Sequence, residues 1–170
     1  MKVWDGEREV VIDGVHLHGV CESKRLYDRF GQRNIFEPIY FSLNLLLPLL
    51  RREFDLIDCQ NLPYFPAFIC KLYSLLRKKP LVITWHEVWG DYWMHLGPIR
   101  GSIGLAVEAL VARLTRFNIT VSKTTKLKLM TRGCGEDRIY PRRNGINPGS
   151  IEGIKGNPPP TDIIYVGRLI

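Results

Sequence analysis

Pro80-Leu81-Val82-Ile83-Thr84-Trp85-His86-Glu87-Val88-Trp89-Gly90-Asp91-Tyr92-Trp93 is the stretch on which the fold turns. Its apolar start, residues 81–83, reads as a strand buried on both faces. It then breaks into a segment crowded with His, Glu, Asp and aromatic residues. In open α/β sheets ligands bind just past the carboxyl ends of the strands, so this segment is a candidate site. Aromatic faces beside carboxylates suit a sugar, which offers apolar C–H faces and hydroxyls that need acceptors. Histidine titrates near neutral pH, which makes His86 the candidate for moving a proton. A plainer reading stands beside this one: Trp85, Trp89, Tyr92 and Trp93 pack a core or an interface, and His86 caps a strand end.

Working outward, strand and helix patterns alternate. Residues 54–59 read as a strand, with Gln60-Asn61 at its end as another candidate ligand position. Residues 64–79 read as a helix with Phe65, Phe68, Ile69, Leu72, Leu75 and Leu76 turned inward. Its closing Arg77-Lys78-Lys79 complements the helix dipole, which explains that basic cluster without a partner. Residues 38–52 have helical spacing. Leu43, Leu46, Leu47 and Leu50 form the stripe, Leu45 and Leu49 widen it, and Pro48 is expected to kink it. A helix this apolar is usually buried, the alternative being a membrane- or partner-facing role. Residues 9–20 read as two short strands around Asp13-Gly14. His16 and His18 then share a face, where a solvated surface is favoured over a metal site for want of a third ligand. On the other side, residues 102–114 read as a helix burying Ile103, Val107, Leu110, Val111 and Leu114. Residues 117–121 follow as a strand. Ser122 caps a helix that Gly133 closes. Residues 138–140 form a short strand, and Asn144-Gly145 makes a turn. Residues 22–34 look like a loop, 147–161 like a linker and 162–167 like a last strand. The alternation implies an α/β fold: a Rossmann-like parallel sheet with helices on both faces.

The bulk properties agree. A chain of 170 residues is about one domain and can bury a core without staples. A net charge of +7 favours anionic partners, whether phosphorylated substrates, acidic lipid surfaces or nucleic acid. No RNA-binding signature or zinc-finger spacing supports specific nucleic-acid recognition. Cys21, Cys59, Cys70 and Cys134 form no CxxC pair, so no metal is expected, and Cys59 and Cys70 read as buried thiols. The start carries no signal peptide, and the apolar run 43–50 falls far short of the ~20 residues of a membrane span. The expectation is a cytoplasmic protein, with peripheral attachment to a membrane surface left open.

Several local patterns agree with one family. Asp55-Leu56-Ile57-Asp58-Cys59-Gln60 resembles its acidic strand, and Thr84-Trp85-His86-Glu87 resembles its T-x-H-[DE] strand end. Val121-Ser122, followed by Lys126 and Gly133, resembles its next helix start. Asp137-Arg138-Ile139-Tyr140, leading to Asn144-Gly145-Ile146, resembles its strand and Asn-Gly turn. Ile164-Tyr165-Val166-Gly167-Arg168-Leu169 resembles the strand that opens its second domain. Five such patterns in order, over roughly residues 10–170, make the chain resemble the retaining glycosyltransferases of family 4, which have the GT-B fold.

The resemblance implies an N-terminal, acceptor-binding domain over residues 1–150, a linker over 151–161 and the first strand of a donor-binding domain over 162–170. The usual first βα unit is not recognised before Glu9, so the reading expects it to be lacking. By similarity, His86 and Glu87 are the catalytic candidates. Trp85, Trp89, Asp91, Asn61, Ser122, Asn144 and Gly145 are the substrate-binding candidates, and Arg168 faces the donor pyrophosphate. The implied partners are a nucleotide-sugar as co-substrate and an acceptor glycan or lipid, with no metal and no resident cofactor. A missing central strand would leave unpaired edges, each buried orphan group costing on the order of 1–3 kcal/mol. The apolar strand 162–167 is expected to fill the gap, from the same chain or as a strand-swapped homodimer. The fragment is expected to be inactive alone. The alternative from another class is a non-catalytic carbohydrate- or acidic-lipid-binding module, and a nucleotide-sugar epimerase is a third reading.

Overall fold

The computed structural model describes residues 7–145, apart from 23, 26–33 and 35, together with 148 and 149. The expected linker, the strand 162–167 and Arg168 lie outside the described residues, as does most of the loop 22–34.

The N-terminal hairpin forms as its turn residues require. β1 (Glu9–Ile12) pairs antiparallel with β2 (Val15–His18). Asp13 and Gly14 both take positive φ, 51° and 78°, as a two-residue turn matched to strand twist demands. The hairpin is a separate two-stranded sheet. His16 and His18 stack on its exposed face, 6.4 Å apart.

The main sheet comprises β3 (Ile57–Gln60), β4 (Leu81–Trp85), β5 (Phe117–Thr120) and β6 (Ile139–Pro141), all parallel and in chain order. α2 (Phe65–Arg77), α3 (Pro98–Val111) and α4 (Lys123–Thr131) make the connections, and α1 (Phe36–Leu50) packs on α2. Right-handed crossovers repeated in one direction place these helices on one face. The strand residues directed there, including Ile57, Cys59, Leu81, Ile83, Trp85, Asn118, Thr120 and Ile139, are buried. On the opposite face, Val82, Thr84 and Ile119 are half-buried, and Asp58, Gln60, Phe117 and Tyr140 are exposed. The fold is thus the α/β, Rossmann-like parallel sheet that the pattern implies, its helical cover lying on one face among the described residues. β4 is accordingly sealed on one face and half-covered on the other.

Three helices turn inward only part of the stripe their apolar residues suggest: Leu50, Phe68, Val107, Val111 and Leu114 join the core as expected, and small or polar residues take the rest of the contact. In α1 the buried residues are Pro38 and Ser42, with Leu45 and Leu49 against the core, while Leu43 and Leu47 face outward. Ser42 enters the interior because its hydroxyl donates to the Pro38 carbonyl at 2.6 Å, which satisfies it within its own helix. Pro48 is accommodated inside the helix. In α2, Pro66, Ala67, Cys70 and Tyr73 are buried, whereas Leu72, Leu75 and Leu76 are exposed. In α3, Gly101, Gly104, Glu108 and Val111 point inward, and Ile103 and Leu110 point outward. The reason is distance. Small residues let a helix approach its neighbour closely, and a larger side chain there would hold it off. A Cβ on Gly101 would lie 2.7 Å from the Trp93 carbonyl oxygen, and one on Gly104 would overlap the Trp93 ring. α4 follows its signals: Ser122 accepts from the Thr125 amide at 3.0 Å, and Gly133 leaves the helix at φ 83°.

Gly104→Ala is therefore expected to destabilise the fold by about 1–3 kcal/mol through overpacking. Leu75→Ser, on an outward face, should stay within about 0.5 kcal/mol of the native chain. Urea denaturation distinguishes the two.

Candidate functional site

The carboxyl ends of the parallel strands line up through backbone bonds just beyond the ladders. The Asn61 amide donates to the Thr84 carbonyl at 2.9 Å, Val121 to Trp85 at 3.2 Å and Arg142 to Thr120 at 2.8 Å. Gln60-Asn61, His86-Glu87, Ser122 and Arg142 therefore share one edge, where α/β sheets bind ligands.

On this edge the side chains form two tiers. The outer tier runs along the less covered face of the sheet. Thr84 donates to Asp58 at 2.8 Å, the Gln60 amide reaches the other Asp58 oxygen at 3.5 Å, and Gln60 Oε1 lies 2.6 Å from His86 Nε2. With Gln60 presenting its oxygen, His86 Nε2 is the donor, and in the neutral ring Nδ1 is then the atom able to accept a proton. The inner tier is buried. Asn61 accepts from the His86 amide at 3.1 Å and donates to the Glu87 carbonyl at 3.0 Å, so one side chain clamps the backbone on which both catalytic candidates stand.

The aromatic segment is held by a group the sequence reading passed over. Glu108, wholly buried on α3, receives Tyr64 Oη at 2.8 Å, the Trp89 amide at 2.9 Å, the Gly90 amide at 3.0 Å and Trp93 Nε1 at 3.2 Å. All four partners donate, as a carboxylate requires. The segment winds into a 3-10 helix, Gly90–Leu96, against α3. Trp89 packs on Trp93 at 4.7 Å and edge-on to Tyr92 at 5.4 Å. One signal for Glu108 is in the sequence: it is the only acidic residue between Tyr92 and Gly135.

The remaining candidates fall in different places. His86, Glu87 and Asp91 are exposed, and Asp91 faces Arg132 at 3.5 Å. Trp85 is wholly buried, its indole N–H donating to Asn118 at 2.9 Å, so its ring belongs to the core. Asn61 acts on backbone from within. Ser122 serves as helix cap. Asn144 and Gly145 are exposed just past β6. Cys59, Cys70 and Cys134 are buried thiols. Two open clefts, of about 370 Å³ beside the hairpin and about 350 Å³ near Pro80 and Phe117, lie away from the carboxyl edge. Neither gathers the polar groups described here, so strand-end geometry is the better guide to the site.

The parallel sheet and its one-directional order define a Rossmann-like α/β domain of the GT-B type. Residues 7–150 match the family described as Glycosyltransferase Family 4, and the chain belongs to that family. No curated protein matches it as a relative.

Glu108→Ala strands several buried donors and is expected to cost on the order of 3–5 kcal/mol, read from urea midpoints. Burial, then the neighbouring Glu108 carboxylate, push the Tyr64 phenol well above its usual value of 10. A raised value favours the protonated phenol in the folded chain. That stability is whole below about pH 10 and is lost as pH rises beyond it. Tyr64→Phe should flatten this alkaline limb of the stability profile.

Proposed function

We propose that this chain is the acceptor-side domain of a retaining glycosyltransferase, which moves a sugar from a nucleoside diphosphate to a hydroxyl of a glycan or lipid. The observation that carries the reading is the exposed Asp58–Gln60–His86 chain at the carboxyl edge of a family 4 domain, its backbone clamped by buried Asn61. In this reading His86 contacts the transferred sugar and Glu87 orients it or the acceptor. Trp89 offers an apolar face, with Asp91 as an acceptor for hydroxyls. Ser122, Asn144 and Gly145 border the donor side. Arg168 offsets charge on the leaving phosphate through paired guanidinium donors. The nucleotide-sugar is a co-substrate, and no metal or resident cofactor is assigned. In this reading a second domain holds the donor nucleotide, and the strand-end edge described above contacts the sugar itself.

Saturation-transfer NMR with methyl glycosides tests this. Transfer should reach the sugar C–H protons, and His86→Ala should weaken binding about fivefold to tenfold, one lost hydrogen bond. No transfer, or equal binding by the variant, contradicts the reading.

A further inference from the structure

The amino edge of the sheet, at the far end of the strands from the candidate site, gathers cations without carboxylates. A cleft of about 350 Å³ opens there. Lys71 of α2, Arg113 and Arg116 between α3 and β5, and Arg138 before β6 all line it, and no lining residue is acidic. No ion pair among the described residues ties up any of these four. Nearby carboxylates are engaged elsewhere: Asp55 pairs with Lys79 at 3.7 Å and Glu136 with Lys126 at 2.6 Å. Asp137, next to Arg138 in sequence, is exposed and does not line the cleft.

The ladder holds two of these cations together. Asn118 pairs with Ile139, so Arg138 stands level with Phe117 and one residue from Arg116, on strands about 4.8 Å apart. Like charges so placed repel, and no carboxylate in the cleft offsets them. Helix dipoles do not account for them either. Lys71 sits in the middle of α2, and Arg116 and Arg138 precede strands. Arg113 differs: its Nη1 donates to the Ala109 carbonyl at 2.8 Å and its side chain crosses Gly133, so it closes the end of α3.

The other polar groups of the cleft are already spent. The Ser74 hydroxyl donates to the Lys79 carbonyl at 2.7 Å, and the Thr115 hydroxyl donates to the Leu81 carbonyl. The unspent donors are therefore cationic, which selects an anion over a neutral ligand. Phe117, 46% exposed, lines the same cleft, its ring 6.4 Å from that of Tyr140 and near parallel to it.

We propose that this cleft binds the phosphate groups of a small polyphosphate, either a nucleoside polyphosphate or an inorganic one. Lys71, Arg116 and Arg138 approach from three different elements, so a chain of phosphates reaches all three where a single carboxylate reaches one. The guanidinium forks of Arg116 and Arg138 match phosphate oxygens in pairs. The site is separate from the carboxyl edge and does not depend on the sugar reading.

Calorimetry and thermal unfolding of the full chain test it, with ATP and with tripolyphosphate, in the absence of divalent cations. Both should bind, more weakly as salt rises, and raise Tm by about 5–10 °C at about 100 times Kd. Sodium chloride of equal ionic strength should not raise it so. Lys71→Gln with Arg116→Gln should weaken binding about tenfold or more while the far-ultraviolet circular dichroism is unchanged, and Lys71→Gln alone about threefold to tenfold. Tighter binding of ATP than of tripolyphosphate, lost in Phe117→Ala, assigns a nucleotide; equal binding assigns the phosphates alone. The proposal is overturned if neither compound binds, if the Gln variants bind as tightly as the native chain, or if sodium chloride reproduces the whole shift.

Discussion

A single buried carboxylate organises the carboxyl-edge half of this domain. Glu108 gathers donors from three places: the phenol that precedes α2, two amides in the turn after β4, and the indole of the 3-10 segment. Each donor would otherwise be stranded away from water at a cost of about 1–3 kcal/mol. The carboxylate likewise could not stand buried without them. The two requirements meet in one geometry, which fixes where the chain goes after β4 and how α3 is rotated about its axis.

Everything at the carboxyl edge inherits that geometry. Trp93 packs so close to α3 that a Cβ on Gly101 would meet its carbonyl oxygen and one on Gly104 its ring. Asn61 clamps the backbone of His86 and Glu87 from the β3 side, while Glu108 holds Trp89 and Gly90 from the α3 side. His86 and Glu87 therefore stand exposed on a backbone tied down at both ends. A backbone held in this way would leave His86 little ordering entropy to lose in a contact with a ligand. The same anchoring turns Ile103 and Leu110 to the outside of α3.

How legible this was in the sequence depends on which residues did the work. The hairpin, the four parallel strands, the Ser122 cap and the Gly133 exit were readable, because each rests on local chemistry: positive-φ turn residues, short apolar runs and a hydroxyl at a helix start. The strand-end position of His86-Glu87 was readable for the same reason. The inward faces of α1, α2 and α3 were readable only in part: Leu50, Phe68, Val107, Val111 and Leu114 reach the core as expected, whereas Leu43, Leu47, Leu72, Leu75, Leu76, Ile103 and Leu110 face outward. Periodicity assigns the largest apolar residues to the core, whereas close packing placed Ser42, Ala67, Cys70, Gly101 and Gly104 there. Trp85 looked like a site wall and is core, because alternation along β4 sends it to the helix side with Ile83. Glu108 was missed because a lone glutamate in a helix normally marks a solvated face. Its isolation in a basic stretch was the clue.

The most direct test of this account is amide and indole hydrogen exchange by NMR. The Trp89 and Gly90 amides and the Trp93 indole N–H should exchange as slowly as the amides of β4, opening only with global unfolding, because their acceptor is the interior carboxylate of Glu108. If these three protons exchange at the rate of exposed loops while the β4 amides stay protected, Glu108 does not hold the site segment and the account fails.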